Sequence, residues 1–442
     1  MAFELTREAE SMISRSPLIA IVGAGIGGLT AALALLRRGF RVRVFEQADR
    51  FEDVGAGLQI SANGTRLLFS LGLESPLLAR AARPMGKQIR LWNTGQTWKL
   101  FDLGAESVRR YGFPYLMMHR ADLHSALVDG VARLDPDAIC NGMRYVGHAN
   151  DDDAVLVRFD TGLELRCDAL IGADGVHSQV RSNLFGSGRP WFTGCMAWRG
   201  LVPVDRLPPV FREPVGTNWV GPGAHVITYP VRAGELVNFV GVVERDDWKI
   251  ESWRSQGTVQ ECAADFEGWH PDVQALIRGT GTPYKWALLG RDPMTNWSRG
   301  RVTLLGDACH PTLPFLAQGA MMAIEDAIVL ARCLQSSPHD PGRAFRLYEA
   351  ARMERTSLIV TRSSENARRF HNPALAHADG AADYVSREWT EQKVQERYDW
   401  LFEYDASSVD IGDGVPSAAA AAGGGATGAG DRLARRAGGG IV

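Results

Sequence analysis

The 442-residue sequence is poor in cysteine, has no long hydrophobic run and carries little net charge. None of its 6 cysteines belongs to a Cys-x-x-Cys pair, so neither a zinc site nor a redox disulfide is predicted, and no metal is expected. No stretch of about 18 apolar residues is present, so we expect no membrane span. The formal charge of -3 offers no attraction for a polyphosphate backbone, which argues against a nucleic-acid partner. We predict a cytoplasmic protein with reduced thiols.

The hydrophobic pattern indicates an α/β fold. The apolar run from Leu18 to Val22 predicts a strand buried on both faces, and the Ala- and Leu-rich run from Ile26 to Arg38 predicts a helix. The run from Arg41 to Glu46 predicts the next strand, which completes a βαβ unit. Short alternating strands follow between Trp191 and Glu244 and predict a mostly antiparallel sheet inserted into the α/β chain.

A glycine-rich turn joins the first strand to the first helix. Gly23, Gly25 and Gly28 have the spacing Gly-x-Gly-x-x-Gly, which allows a tight turn and lets a pyrophosphate approach the helix N-terminus. Glu46, at the end of the next strand, is suitably placed to accept a hydrogen bond from a ribose hydroxyl. The combination predicts a bound adenine dinucleotide, and the acid favours FAD or NAD over NADP.

Two later segments repeat the design of a buried strand that ends in a turn with Gly and Asp. Asp174 follows the apolar run from Ala169, and Asp307 follows the apolar run from Val302 to Leu305. Taken alone, each aspartate is expected to be a turn residue or a helix N-cap. Taken with the first turn, the segments resemble the fingerprints of single-component flavoprotein aromatic hydroxylases, the family of para-hydroxybenzoate hydroxylase.

The resemblance extends from Leu18 to about Phe370 and implies an α/β fold with a Rossmann-type FAD-binding domain. A mostly antiparallel substrate domain is inserted into it, and helices follow at the C-terminal end. The division that we predict is a flexible N-terminus (1–16), a FAD-binding domain (17–85, 104–185 and 284–370), a substrate sheet domain (86–103 and 186–283), a helical segment (371–406) and a disordered Ala/Gly-rich tail (407–442).

The resemblance also implies which residues hold FAD. The set comprises Gly23, Gly25, Gly28, Glu46, Gln59, Arg120, Asp174, Gly306, Asp307 and Gly319. Arg120 matches a family arginine that reaches FAD; without the resemblance it would be interpreted as a solvated charge at a helix start. The Gly-rich loops around Gln59 and Gly319 would bring backbone N–H groups against the flat isoalloxazine ring, although mobile surface loops have the same composition.

The substrate end of the site is predicted from one strand. His225, Ile227 and Tyr229 face the same way, with the His and Tyr backbones about 13 Å apart. A purely structural role is the alternative for His225 and for Tyr229. The pair is similar to one with which 3-hydroxybenzoate 6-hydroxylases handle the phenol, so the resemblance implies that both residues are catalytic. Pro314 departs from that branch, which carries a glutamine there, so a salicylate 1-hydroxylase stays an alternative.

The reaction that the resemblance implies is hydroxylation of a small phenolic aromatic acid. NADH or NADPH reduces FAD and leaves, and O₂ then forms a flavin C4a-hydroperoxide whose distal oxygen attacks the ring. We predict that His225 helps to remove the phenol proton. We expect aromatic residues of the sheet to roof the pocket and an arginine such as Arg199 to meet the carboxylate, although nothing selects it over its neighbours. His310 is predicted to be a turn residue without a role in proton transfer.

Three further expectations concern partners and alternatives. The resemblance implies a homodimer, which no sequence pattern demonstrates. A FAD-binding scaffold or redox-responsive protein without hydroxylase turnover is one alternative function. An oxygenase of the same fold that acts on a substrate other than a benzoate is another.

Overall fold

The computed structural model describes residues 16–51, 56–186, 188, 190–245, 247 and 255–412. Most of the predicted flexible N-terminus and of the predicted Ala/Gly-rich tail lies outside these residues, as do Val54 and Gly55 in the loop before Gln59. Within the described ranges, no helix combines the length and the apolar character that a membrane span requires.

Strands and α-helices are numbered here in chain order. The strands are β1 (Leu18–Val22), β2 (Arg41–Phe45), β3 (Gly57–Ile60), β4 (Gly86–Leu91), β5 (Thr97–Asp102), β6 (Leu116–His119), β7 (Ile139–Cys140), β8 (Tyr145–Asn150), β9 (Val155–Phe159), β10 (Glu164–Cys167), β11 (Ala169–Gly172), β12 (Trp191–Pro203), β13 (Val215–Gly221), β14 (Ala224–Val231), β15 (Leu236–Glu244), β16 (Tyr284–Gly290), β17 (Ser298–Arg299) and β18 (Val302–Leu304). The helices are α1 (Ile26–Leu36), α2 (Ala62–Ser70), α3 (Glu74–Arg80), α4 (Ala105–Tyr111), α5 (Arg120–Leu134), α6 (Gln179–Phe185), α7 (Val259–Asp265), α8 (Pro271–Gly279), α9 (Gly319–Ser336), α10 (Pro341–Phe370), α11 (Ala378–Glu388) and α12 (Glu391–Phe402).

The first sheet contains the predicted βαβ unit. Its strand order is β17-β18-β11-β1-β2-β7, and β1 runs parallel to both β2 and β11. Residues 19–22 of β1 are at most 5% exposed, because both faces of the sheet are covered. Gly39 follows α1 with a φ of 82°, the left-handed conformation expected of a glycine just past a helix end. The predicted Rossmann-type architecture is confirmed.

The inserted domain is a second sheet of order β16-β12-β15-β14-β13-β4-β5. Its ladders are antiparallel except for the parallel pair of β4 and β13, so the prediction of a mostly antiparallel sheet is also confirmed. Strand β16 pairs with β12 in this sheet, whereas the predicted boundary at residue 284 assigned it to the FAD-binding domain. The apolar sequence of β16 suits a strand of either sheet, so its pattern alone does not assign it.

The two faces of this second sheet have different neighbours. Trp198, Trp219 and Phe239 share one face and pack against helices α7 and α8. Our expectation that the sheet aromatics roof the pocket is therefore wrong for these residues, because side chains alternate along a strand and theirs point away from the FAD-binding domain. We call the opposite side the inner face; it carries Ala197, Arg199, Asn218, His225, Ile227, Tyr229, Asn238, Val240 and Val242.

The inner face contacts the FAD-binding domain. Ala197 and Val242 pack against Leu313 and Phe315 in the loop that follows the Asp307 turn. That loop contains a short 3₁₀ turn at Pro314–Leu316 and leads into α9. The inner face therefore packs against the segment that joins the Asp307 turn to α9.

A buried ionic network fixes the helices behind that loop. Arg352 on α10 donates to Asp326 at 2.8 Å and to Glu325 at 2.7 Å, both on α9. Burial opposes ionisation of Glu325, but the nearby Arg355 and Arg352 outweigh it and lower the pKa of that carboxyl. Asn63 donates to Glu325 at 2.7 Å, so the network also holds the start of α2. Removing one charge would leave its partners buried and unpaired, which is far more costly than never having the pair.

Two predicted boundaries differ from the structure. The helical stretch expected from Val259 to Ile277 is two helices, because Pro271 starts α8 and the side chain of His270 caps it. Residues 407–412 were predicted to belong to the disordered tail, yet Ile411 is buried and the carbonyl of Val409 accepts a hydrogen bond from Arg332. Contacts with the first domain therefore order residues 407–412. Their composition alone is typical of a loop and does not predict these contacts.

Candidate active site

The predicted FAD-binding turns meet at one edge of the first sheet. Strands β18, β11 and β1 are neighbours, and each leads into one of these turns. A Cβ atom on Gly23 would clash with the carbonyl oxygen of Ala173, and the amide of Leu305 donates to the carbonyl of Gly172 at 2.9 Å. Ligands of open α/β sheets bind outside the carboxyl ends of the strands, as these turns would require. The predicted convergence of the turns is confirmed.

The glycine turn has the shape that a pyrophosphate needs. A Cβ atom on Gly28 would clash with the carbonyl oxygen of Gly23, so this position has to be glycine for the turn to close. Among the described residues, a Cβ atom on Gly25, the N-cap of α1, would have no heavy atom within 4 Å, and no side chain caps that helix end. The first-turn N–H groups therefore lie next to open space, and orphan amides at a helix start attract phosphate oxygens.

Glu46 is held rigidly at the end of β2. Its Oε2 accepts from the amide of Ala24 at 3.0 Å, and its Oε1 accepts from the amide of Ala48 at 3.0 Å. Each carboxylate oxygen has a second lone pair, so both bonds leave capacity for ribose hydroxyls. His124 bonds to the carbonyl of Ala24 at 2.7 Å and therefore lies beside the same turn. The position fits the predicted ribose contact.

Asp174 has a local structural role. Its carboxylate accepts from the hydroxyl of Ser178 at 2.5 Å and from the amides of Gln179 and Val180 at 2.8 and 3.1 Å. These bonds tie the turn to the start of α6, as expected of an aspartate in a turn or near an N-cap. Burial raises the pKa of Asp174, and the hydrogen bonds oppose that effect. A contact with FAD or the nicotinamide nucleotide stays a prediction.

Arg120, at the start of α5, lies between the cofactor side and the substrate side of the site. Desolvation by the surrounding protein raises the pKa of Asp307, although its side chain is exposed, and the charges of His310 and Arg120 partly oppose this rise. Burial lowers the pKa of Arg199 on the inner face, and Arg120 adds to that effect. The structure therefore brings Arg120 close to both residues, as a flavin between the two domains would require.

Gln59, on β3, links the cofactor domain to the inserted sheet. Its Oε1 accepts from the hydroxyl of Tyr115 at 2.8 Å and from Nζ of Lys87 at 3.1 Å. Burial lowers the pKa of Lys87 to about 8. Lys87 stands on β4, aligned with Gly216 of β13, and the sequence pattern contained no signal for it. The structure therefore adds, beside the predicted Gln59, a lysine whose amino group is less basic than usual.

Lys87 gives a pH-dependent prediction. At pH 7 the folded protein carries the cost of burying this charge, so we expect Lys87→Met to raise the free energy of unfolding by about 1 to 2 kcal/mol, allowing for water in the cleft. Gln59 keeps Tyr115 as a donor in the variant. The folded-state pKa is depressed, so the unfolded chain binds more protons between pH 8 and 10.5, and the penalty and the gain both disappear as pH rises through that window.

Urea unfolding at pH 7 and at about pH 10.5 measures the effect. Lys99→Met, which changes an exposed lysine on the neighbouring strand β5, is the matched control and should show little difference between the two pH values. A gain of the same size at both pH values for Lys87→Met would show that lost packing or polarity, and not the charge, explains it.

The loop before α9 is strained and internally bonded. Ala317 has a φ of 54°, a left-handed conformation that costs a residue other than glycine about 1 kcal/mol or more. The side-chain amide of Gln318 is buried. Its Nε2 donates to the hydroxyl of Ser61 at 3.0 Å, and its Oε1 accepts from Nδ2 of Asn63 at 3.1 Å. Gly319 then begins α9. The contact of this loop with the isoalloxazine ring stays a prediction, and the Gln318 side chain ties the loop to the start of α2.

His310 lies in the turn after Asp307, as predicted, and its amide donates to the carbonyl of Gly306 at 3.0 Å, but the contacts of its side chain were not expected. Its ring is buried, and its Nε2 lies 2.6 Å from Asp326, which also accepts from the amide of Gly306. Burial opposes protonation of His310, but Cys309 and Asp326 outweigh it and raise the pKa of the imidazole. His310 is therefore part of the ionic support behind the Asp307 turn, a role that the sequence alone did not indicate.

A partly open area lies in the middle of the inner face. Ile227 and Val240 are Cα partners on central strands, and both are partly exposed although their neighbours on the same strands are mainly buried. Within the part of the chain that the structure describes, three buried polar atoms of this face lack a hydrogen-bond partner, namely Oδ1 of Asn218, Nε2 of His225 and Nδ2 of Asn238. Unpartnered buried polar atoms are rare and costly, so their grouping around Ile227 indicates a place for a polar ligand.

His225 is the start of a chain of polar contacts. Its Nδ1 lies 2.6 Å from Nε2 of His371, and Nδ1 of His371 lies 2.8 Å from Oε1 of Glu244. Burial lowers the pKa of His225 well below its usual range, and His371 adds to the effect. The imidazole is therefore neutral near pH 7. His371 and Glu244 were not predicted, because they lie 146 and 127 residues away from the groups they contact.

Tyr229 stands at the other end of the same strand face. Its ring packs against Gly57, where a Cβ atom would come within 2.6 Å of it, and Asn238 fixes the amide of Gly57 with a bond of 2.6 Å. Burial raises the pKa of Tyr229, so its hydroxyl stays protonated and can donate. The two predicted catalytic residues therefore face the same side, with Ile227 between them, as the strand pattern predicts.

Comparison with known proteins decides the class of this molecule. A family model described as FAD binding domain matches residues 17–363. A 3-amino-4-hydroxybenzoate 2-monooxygenase of Streptomyces platensis is 40% identical over 394 residues, 89% of this chain and 97% of that protein. The chain belongs to the FAD-dependent aromatic monooxygenases. FAD is therefore the cofactor of this monooxygenase, and NAD(P)H is the reductant typical of the family.

Two further similarities agree with the assignment. A 6-hydroxynicotinate 3-monooxygenase of Pseudomonas fluorescens is 40% identical over 360 residues, 80% of this chain and 92% of that protein. The structure of Klebsiella pneumoniae HpxO complexed with FAD and uric acid has a TM-score of 0.75 and 27% identity, with 90% of this chain and 98% of that chain covered. The fold and the family predicted from the three turns are confirmed, and the open space at Gly25 fits the cofactor.

Proposed function

We propose that this monooxygenase hydroxylates a small aromatic acid that carries a ring hydroxyl, bound on the inner face over Ile227. The observation that carries the proposal is the group of unpartnered polar atoms around that residue, which includes Nε2 of the neutral His225. Bound FAD, once reduced, supplies the activated oxygen. The protein itself has to bind and orient the ring, exclude water and move the phenolic proton.

His225 is the base in this proposal. A neutral imidazole with a free ring nitrogen can accept a proton from a phenol within hydrogen-bond distance, and the resulting phenolate ring is richer in electrons. Phe315 and Phe370 pack around the imidazole and keep water away from it. The protonated hydroxyl of Tyr229 donates to the oxygen that becomes negative, or orients the opposite end of the acid.

Arg199 is the proposed partner of the carboxylate. It is 6% exposed, and its guanidinium lies over the rings of Tyr284 and Trp286, which hold it flat on the inner face. Strand β12 is separated from β14 by β15 only, so Arg199 and Ile227 are about 10 Å apart across the sheet. An aromatic acid with its hydroxyl toward His225 could therefore present its carboxylate toward this arginine.

The names of the two relatives suggest how the substituents are arranged. Both 3-amino-4-hydroxybenzoate and 6-hydroxynicotinate carry the hydroxyl opposite the carboxylate on a six-membered ring. The placement of His225 and Arg199 on separate strands favours this arrangement over salicylate, in which the two groups are adjacent. We therefore propose an acid with opposed groups, and the 3-hydroxybenzoate and salicylate types are the alternatives.

A substrate panel tests the proposal. NADH and O₂ consumption are measured together in the FAD holoenzyme with 4-hydroxybenzoate, 3-amino-4-hydroxybenzoate, 6-hydroxynicotinate, 3-hydroxybenzoate and salicylate, and products are identified by mass spectrometry. We expect an acid from the first three to accelerate both and to yield a hydroxylated product. Benzoate, which lacks the hydroxyl, is the control. If no phenolic acid stimulates NADH oxidation, the proposed substrate class is wrong and an oxygenase with another substrate, or a scaffold, is favoured.

A further inference from the structure

The two groups behind His225 connect its buried ring to solvent. Glu244 ends β15 and its side chain is 57% exposed, whereas that of His371 is 2% exposed. The distances of 2.6 and 2.8 Å along His225, His371 and Glu244 are those of hydrogen bonds. A base on the inner face is therefore joined, through one further imidazole, to a carboxylate at the surface.

The hydrogen bonds fix where the protons are. An ionised carboxylate can only accept, so Nδ1 of His371 carries the hydrogen that bonds to Glu244. Nε2 of the neutral His371 is then an acceptor, and Nδ1 of His225 has to be the donor in the next bond. His225 is thereby held in the tautomer whose Nε2 has a free lone pair. Among the described residues, that Nε2 atom is buried and has no hydrogen-bond partner.

We propose that His371 and Glu244 act as a proton relay for His225: they hold its basic tautomer and carry the substrate proton to solvent. This inference rests on the proposed function. In the step, the phenolic O–H breaks as Nε2–H forms on His225, and the Nδ1–H of His225 breaks as Nε2–H forms on His371. The Nδ1–H of His371 then breaks as an O–H forms on Glu244, which releases the proton to water. The product phenolate is then protonated by Nε2–H of His225, while a proton from water enters through Glu244 and His371, and this reverse transfer restores the starting tautomers.

The surroundings favour transfer along this line. On the strands beside His225 the Cα partners are Val220 and Val242, which carry no charge. Burial lowers the pKa of His371, and its bond to Glu244 opposes this effect, so its ring is not permanently an imidazolium near pH 7. The thiol of Cys195 faces Glu244 on β12, and burial raises its pKa to about 11, with a further rise from Glu244. It therefore adds no competing charge.

The test follows a proton without requiring turnover. The probe is 4-hydroxy-3-nitrobenzoate, whose phenolate absorbs visible light, bound to the oxidised FAD holoenzyme and observed after a stopped-flow pH jump. We expect Glu244→Gln and His371→Ala to slow phenolate formation by about tenfold or more while the Kd of the probe changes little. His371 lies outside the sheet, and Glu244 ends β15 four residues beyond Val240, next to which the probe is expected to bind. Added imidazole should restore the rate in His371→Ala.

The control is Glu235→Gln, which changes an exposed glutamate just before the other end of β15 and should leave the rate unchanged. A purely structural role for His371 would not be rescued by imidazole. If the wild type binds the probe and shows fast phenolate formation while Glu244→Gln and His371→Ala match it, the relay is refuted and the proposed function stands. If the wild type neither binds the probe nor hydroxylates any acid of the panel, the proposed function is contradicted and the relay with it.

Discussion

Gly25→Ala is expected to fold normally and to bind FAD at least about 100-fold more weakly than the wild type. The backbone of Gly25 has a φ of -75°, which alanine adopts without strain, and a new Cβ would touch no protein atom. The methyl group would instead occupy the space next to the N-terminus of α1, where the pyrophosphate has to approach the backbone. Titration of the apoprotein with FAD, followed by flavin fluorescence, gives the affinity.

The stability of the apoprotein separates this effect from misfolding. We expect the free energy of unfolding of Gly25→Ala without FAD to stay within about 1 kcal/mol of the wild type, since alanine restricts the unfolded chain but is a poorer N-cap than glycine. Gly281→Ala, in the loop between α8 and β16, also adds a Cβ to open space and should bind FAD normally. Wild-type FAD affinity in Gly25→Ala would mean that the cofactor does not lie against this turn.

His225→Asn is expected to reduce the hydroxylation rate at neutral pH by about 100-fold to 10,000-fold, the usual contribution of a general base. NADH oxidation should continue, and the reducing equivalents should appear as H₂O₂, because the neutral phenol is a poor acceptor of oxygen. The pKa of His225 is lowered by burial, so the wild-type rate should not fall as pH decreases through 6.5. The rate of the variant should increase with pH as the substrate itself ionises.

Product formed per NADH consumed, measured from about pH 6 to 9, tests this expectation. His270→Asn is the matched control: it makes the same change on the side of the sheet where Trp219 packs, and asparagine keeps the cap of α8. Equal product ratios and equal pH profiles for His225→Asn and the wild type would exclude His225 as the base.

The cofactor side of the molecule could be predicted from the sequence because its signals are local. Gly23, Gly25 and Gly28 lie within one turn, and a strand, a helix and a further strand surround them in the expected order. Strand periodicity likewise predicts that His225 and Tyr229 share a face with Ile227, which the ladder confirms. The geometry of a turn or a strand restricts residues a few positions apart so strongly that their spacing in the sequence is sufficient to predict where they lie.

Contacts between distant segments could not be predicted in this way. His371 follows α10 in sequence and meets His225 only because that helix packs beside the inserted sheet. In the sequence, Lys87 looks like an ordinary lysine of a strand near the edge of a sheet. Only the fold shows that it is buried and that burial lowers its pKa. The sequence shows that side chains alternate along the strands of Trp198 and Trp219. Which face of the sheet meets the cofactor domain depends on tertiary packing and could not be predicted. Residue type indicates chemistry, and only the fold supplies the neighbours.

A crystal structure of the FAD holoenzyme with the hydroxylated acid that it turns over fastest would test the central claim most directly. We predict that the ring lies over Ile227, with the phenolic oxygen within hydrogen-bond distance of Nε2 of His225 and the carboxylate facing Arg199. An acid that binds away from the inner face, or one whose carboxylate and not its hydroxyl meets His225, would contradict the account.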